Sequence, residues 1–149
     1  MSYHQKNVAV SLCSGLIVLT LYSIIVIRLY YDGRFDGPGA HWLVGWSPFA
    51  MFTGGIALTI VLHILSTIYR TVRKQEEEPF ITDERDKMIE LKGLRFSFFA
   101  FCIFFLAVMG ALALNLMGPY TVLLFVVGGL YVAGISGEIV KLVLYRRDA

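Results

Sequence analysis

Residues 96–117 read FSFFAFCIFFLAVMGALALNLM and carry no formal charge. At about 1.5 Å rise per residue, some 20 mostly apolar residues cross the roughly 30 Å of hydrocarbon in a bilayer. The run is long enough for that and far too long for a strand. Lipid also offers backbone N–H and C=O groups no hydrogen-bond partner, so the run reads as a membrane helix. Three further runs resemble it. Val8 to Ile27 carries no charge, and Pro48 to Tyr69 holds one histidine, His63, as its only ionisable group short of the terminal tyrosine. Thr121 to Tyr145 is the longest and contains Glu138 and Lys141. The sequence predicts an all-α fold, a bundle of four transmembrane helices. The spans cover about 8–28, 48–69, 96–117 and 121–145, with a cytoplasmic segment at 70–95, all in one integral membrane domain over 1–149.

The composition supports no other class. Of 149 residues, 57% are hydrophobic and 16% charged, where an average soluble domain carries roughly 25% charged residues. Mean hydropathy is +0.69. A soluble fold of this length exposes too large a share of its surface to hide that much apolar area. A net charge of +2 lacks the basic footprint of a nucleic-acid binder, and the apolar content excludes a disordered chain. The run Val8–Ile27 exceeds the usual length of about 7–15 residues for a signal-peptide core, and no A-x-A site follows it, so it reads as a retained span. Cys13 and Cys102 both fall inside apolar runs without a C-x-x-C, and read as thiols acting as small hydrophobes.

Orientation follows from the distribution of Lys and Arg. Lys6, Arg70, Arg73, Lys74, Arg85, Lys87, Lys92, Arg95, Lys141, Arg146 and Arg147 fall on one side, and only Arg28 and Arg34 on the other. Eleven against two places both termini in the cytoplasm. Aromatics at the span ends agree: Tyr30, Tyr31, Trp42, Trp46 and Tyr120 form an outer belt, and Tyr3, Tyr69 and Tyr145 an inner one. The outer loop Asp32-Gly33-Arg34-Phe35-Asp36-Gly37-Pro38-Gly39 carries turn chemistry. Asp32, Asp36 and His41 could together hold a cation, but their spacing fits no calcium-loop pattern, and the turn reading is preferred. Gly118-Pro119-Tyr120 joins spans three and four as a tight antiparallel hairpin.

Arg70 to Arg95 holds seven positive and seven negative charges and divides at Pro79. Arg73-Lys74-Gln75-Glu76-Glu77-Glu78 reads as a polar linker. Beyond Pro79, Thr82 or Asp83 can cap a helix whose first-turn acids suit the helix dipole. Met88, Leu91 and Leu94, with Ile89 beside them, recur at helical spacing. The spacing predicts a short amphipathic cytoplasmic helix that runs on into span three, with Gly93 as a soft point. Its apolar stripe either rests on the bundle or the lipid interface, or presents a docking surface for a partner or a second copy.

The stretch Asp83-Glu84-Arg85-Asp86-Lys87-Met88-Ile89 resembles the D-E/Q-R-D-x-x-I motif of a family of small prokaryotic four-helix membrane proteins, a domain of unknown function. Lys141-Leu142-Val143-Leu144-Tyr145-Arg146-Arg147 is similar to the ending of their last span, and Leu62-His63-Ile64 to a stretch of their second. The resemblance covers the layout of nearly the whole chain. It implies a protein of the prokaryotic cytoplasmic (inner) membrane and carries over no catalytic residue.

Ionisable residues inside a span are costly and mark functional candidates. His63 lies seven residues before Arg70 and Glu138 eight before Arg146, so both sit roughly 10–12 Å inside the cytoplasmic boundary on this count. At one depth they can pair. Gly55, Thr59, His63 and Ser66 share a stripe, and Gly129, Ala133 and Gly137 form a small-residue row suited to helix packing or self-association. Two readings stay open for Glu138. It is structural glue, paired with His63 or with Lys141, or it is the carboxylate of a proton- or cation-coupled site. Lys141 is also near enough to the boundary to snorkel away. A zinc site from Cys13, His63, Cys102 and Glu138 is disfavoured because both cysteines point away from the small faces of their helices.

No H-E-x-x-H, G-x-S-x-G or phosphate loop occurs, and a bis-histidine haem would need His63 of two copies. The sequence thus predicts neither metal nor cofactor, and no nucleic acid among the partners. The expected function is a non-enzymatic accessory or regulatory membrane protein, alone or within a homo-oligomer or larger membrane complex. It would dock a cytoplasmic protein through Asp83, Glu84, Arg85 and Asp86. The alternative is an oligomeric proton- or cation-coupled transporter of small solutes that uses Glu138.

Overall fold

The structure is a computed structural model that describes residues 3–35, 37–72 and 83–147. Four helices follow in order: α1 (Tyr3–Tyr31), α2 (Ala40–Val72), α3 (Glu84–Ala113) and α4 (Pro119–Arg147). All four are long and apolar enough to cross a membrane. Their lengths of 29 to 33 residues correspond to more than 40 Å at about 1.5 Å per residue, so each overruns the hydrocarbon by several turns. The expected linker at 73–82 with its Thr82 cap, and Asp36 of the outer loop, lie outside the described residues.

The amphipathic segment runs on into span three as expected, with no separate short helix before it. Glu84–Arg95 forms the first turns of α3 itself. Two local causes favour one continuous helix. Asp83 is the N-cap, its carboxylate accepting from Glu84 N–H at 2.7 Å, and Asp83 N–H donates back to Asp86 Oδ2 at 3.3 Å to complete a capping box. Gly93, a residue that weakens a helix by about 1 kcal/mol relative to alanine, is buried against α4 rather than left as a hinge.

Helix α2 begins at Ala40 and runs through Pro48 without ending. Proline leaves the carbonyl four residues back without its amide donor. Here that carbonyl belongs to the buried Val44, and Ser47 Oγ donates to it at 3.3 Å. A side-chain hydroxyl thus replaces the missing bond, which in an apolar medium matters more than in water.

The ends of α1 and α3 close in the same way. Arg34 N–H donates to Leu29 C=O and Gly33 N–H to Tyr30 C=O, with Gly33 at φ 64°. Leu116 N–H donates to Ala111 C=O and Asn115 N–H to Leu112 C=O, with Asn115 at φ 55°. Both are Schellman endings, which satisfy carbonyls the helix would otherwise orphan and require a left-handed residue. Asparagine takes in the second the place glycine takes in the first. Pro119 then opens α4 at a position where its missing N–H costs nothing.

Helix α4 is the hub. It packs most extensively on α3, then on α1, and only sparingly on α2, while α1 also packs on α2. Ser97 and Phe104 of α3 lie directly over Gly137 and Gly129, and Ala133 between them is buried. The row Gly129, Ala133, Gly137 therefore seats α3 within the chain. On the opposite flank Gly15 of α1 meets Ile135. Two tyrosines cross-link helices through carbonyls: Tyr22 hydroxyl to Leu124 C=O at 3.4 Å, and Tyr131 hydroxyl to Met51 C=O at 3.2 Å. Gly55 is small because the Tyr131 hydroxyl occupies the place a Cβ would take.

Candidate functional site

The cross-helix pairs fix a common register. Gln5 Nε2 donates to Tyr145 C=O at 2.9 Å and Gly15 faces Ile135, so α1 and α4 run antiparallel, with the two chain ends at the same end of the bundle. Ser11 Oγ lies 3.3 Å from His63 Nε2, and Thr59 Oγ1 3.3 Å from Ser14 Oγ. Gly93 and Ser97 both meet Gly137, which places Arg95 level with Gly137 and Glu138. Ser11, His63, Arg95 and Glu138 consequently form one polar level, contributed by all four helices.

Within it the structure pairs Glu138 with Lys141: Nζ donates to Oε1 at 2.7 Å, with the two side chains 24% and 20% exposed respectively. His63 instead meets Ser11 of α1. The two residues that share a depth are thus held by different neighbours. The reason is rotation: His63 and Thr59 address α1, whereas Glu138 sits one step round α4 from the row that addresses α3. The methylene stem of Lys141 lies across Gly93, so α3 helps to aim the ammonium at Glu138. Among the described residues no second donor reaches the Glu138 carboxylate.

Glu138 also lines an open cleft of about 310 Å³ that lies between α2 and α4 with α1 as its floor. The floor carries Ser11, Ser14 and Gly15. Phe52 and Thr59 come from α2, and Leu130, Tyr131, Gly134 and Ile135 join Glu138 from α4. The hydroxyl hydrogens of Ser14 and Thr59 are already committed. Ser14 Oγ donates to Ser11 C=O at 2.8 Å, and Thr59 Oγ1 donates to Gly55 C=O at 2.8 Å. The polar end of the cleft therefore offers mainly acceptors. Gly134 is exposed on its open side, with nothing within 4 Å of where a Cβ would stand.

At the chain-terminal end the motif acids are used internally. Asp83 and Asp86 form the capping box, and the Asp86 carboxylate also accepts from the Tyr145 hydroxyl of α4. Glu84 and Arg85 are exposed. Ile89 and Gly93 are the residues that turn inward, while Met88, Leu91 and Leu94 are 54%, 42% and 66% exposed. The expected apolar stripe does not rest on the bundle.

Sequence reasoning missed Ser11, Ser14, Asn115 and the carbonyl-bonding tyrosines. The serines carried a weak signal, being hydroxyls close to Gly15 on a span without charges. Cys13 is exposed on α1 and Cys102 half-buried on α3, and no group of three or more His, Cys, Asp or Glu among the described residues converges on a metal position. Compared with known proteins, the chain matches no family model, no curated protein and no solved structure.

Proposed function

We propose that the protein is a small non-enzymatic component of a prokaryotic cytoplasmic membrane, with both ends cytoplasmic, acting as an accessory or regulatory protein that docks a partner through the first turns of α3. The observation that carries this reading is the exposure of Met88, Leu91 and Leu94 beside Lys87, Lys92 and Arg95, on a helix whose start is braced by its cap and by Tyr145. A rigid helix face with apolar anchors at i, i+3 and i+6 suits recognition by a groove or a second helix. Asp83 and Asp86 support that face rather than form it, so the contact surface moves to Glu84, Arg85, Lys87, Met88 and Leu91.

The register also bears on depth. The stretches from Arg95 to Ala113, from Ser11 to Leu29 and from Pro119 to Glu138 each measure close to 30 Å at about 1.5 Å per residue, one hydrocarbon thickness. Were the hydrocarbon edge at Arg146, the exposed Lys92 and Arg95 alongside would face lipid. We place the edge at the level of Arg95, which brings Glu138 and His63 to the boundary.

Photocrosslinkers placed at positions 88 and 91 in native membranes test the docking reading. A discrete protein adduct at these positions, absent from position 116, is expected. Lipid adducts alone at 88 and 91 would refute it. The alternative, an oligomeric proton- or cation-coupled transporter, draws its support from Glu138 lining the cleft, and proton-coupled flux that survives Glu138→Gln would remove it.

A further inference from the structure

We infer that the cleft between α2 and α4 holds a single-chain amphiphile from the bilayer, one with an uncharged, hydroxyl-bearing head. The cleft is graded along the helix axes. Ser11 and Glu138 mark one end; Leu130 and Tyr131, eight and seven residues along α4 from Glu138, mark the other, with Phe52 of α2 against Tyr131. That separation is about 10–12 Å at 1.5 Å per residue. An occupant polar at one end and apolar at the other fits the gradient, and neither an ion nor a fully water-soluble solute does.

The head group is specified by what the polar end lacks. Ser14 and Thr59 have spent their hydrogens on Ser11 and Gly55 carbonyls. Glu138 keeps acceptor capacity beyond its bond to Lys141. A polar end rich in acceptors calls for a donor, and a hydroxyl head, which also accepts, supplies it. Charge selects among donors. Lys141 already balances Glu138 at 2.7 Å, so an added ammonium or carboxylate finds no unpaired counter-charge at the polar end, whereas a hydroxyl needs none. A volume of about 310 Å³ takes roughly ten water-sized groups at about 30 Å³ each, enough for a glycerol-like head and the first methylenes of a chain. The rest of the chain leaves past Gly134 into lipid. The inference is independent of docking through α3, and its test uses no residue of that surface.

The test is photolabelling of the full chain in phosphatidylcholine nanodiscs with a monoacylglycerol that carries a diazirine in its chain. A fatty amine and a fatty acid of equal chain length are run beside it. The variant is Gly134→Leu, which fills the cleft at a position with no neighbour to displace. The control is Gly110→Leu on α3, equally free of neighbours. Expected are monoacylglycerol adducts concentrated on peptides containing Phe52, Leu130 or Ile135, falling about tenfold in Gly134→Leu and unchanged in Gly110→Leu, with thermal stability of both variants retained. Adducts spread evenly over the lipid-facing residues of all helices would overturn the inference. So would labelling indifferent to Gly134→Leu, or stronger labelling by the amine or the acid.

Discussion

The Tyr145 hydroxyl near the end of α4 hydrogen-bonds the Asp86 carboxylate in the first turn of α3, and the Tyr145 carbonyl accepts from Gln5 Nε2 of α1 at 2.9 Å. One residue thereby joins three helices where the two chain ends meet. Hydrogen bonds to a charged partner are worth about 1.5–3 kcal/mol, so Tyr145→Phe is expected to destabilise by that order. Asp86→Ala removes the capping-box acceptor as well and should cost more. Equilibrium unfolding in mixed micelles with a denaturing detergent gives both values. Equal stabilities of wild type and Tyr145→Phe would exclude the tether.

Glycine positions on α4 should separate sharply by face. A Cβ at Gly129 would overlap the Phe104 ring, whereas Gly134 has open space. Gly129→Val is expected to lose roughly 1–3 kcal/mol through overpacking. Gly134→Ala should be neutral or gain up to about 1 kcal/mol from helix propensity. The same unfolding measurement ranks them, and the reverse order would contradict the packing of α3 on the Gly129–Ala133–Gly137 row.

The Glu138–Lys141 pair is open to a double-mutant cycle. Lys141→Met keeps a stem to lie over Gly93 but strands a carboxylate that is only 24% exposed. A loss of about 1–3 kcal/mol is expected, below the roughly 3–5 kcal/mol of fully buried pairs. Adding Glu138→Gln should recover most of it, because no charge is then left alone. Additive losses would mean that the two side chains do not interact.

Asn115 holds a left-handed backbone, at φ 55°, that closes α3. Left-handed geometry costs most side chains roughly 1–2 kcal/mol, so Asn115→Ala should destabilise by about 1 kcal/mol and Asn115→Gly should not. Thermal unfolding in detergent compares the two.

Four long apolar helices were legible because hydrocarbon imposes the same demand on every residue of a span. Asp83 was legible as one of two candidate caps, since a short acceptor before a helix has a local job. What joins the helices was not. His63 and Glu138 do lie at one level, yet the turn of each helix about its axis gives His63 to Ser11 and Glu138 to Lys141. Rotation and register arise from packing such as Phe104 on Gly129 and Tyr131 at Gly55, and hydropathy carries no record of them. The stripe Met88, Leu91, Leu94 had the right spacing for a packed face, but Ile89 and Gly93 occupy that face, because only Gly93 lets the Lys141 stem pass so close. The partner of the Val44 carbonyl that Pro48 leaves open is one hydroxyl, Ser47, whose direction composition does not encode.

The claim on which the rest stands is the fourfold crossing with both ends cytoplasmic. Single cysteines read it directly in a background where Cys13 and Cys102 are replaced by alanine. Arg34→Cys and Leu116→Cys report the connections, Lys87→Cys and Arg146→Cys the opposite end, with an impermeant maleimide applied to intact and to permeabilised cells. Positions 34 and 116 are expected to label in intact cells, and 87 and 146 only after permeabilisation. Labelling of position 87 from outside an intact cell would contradict this topology.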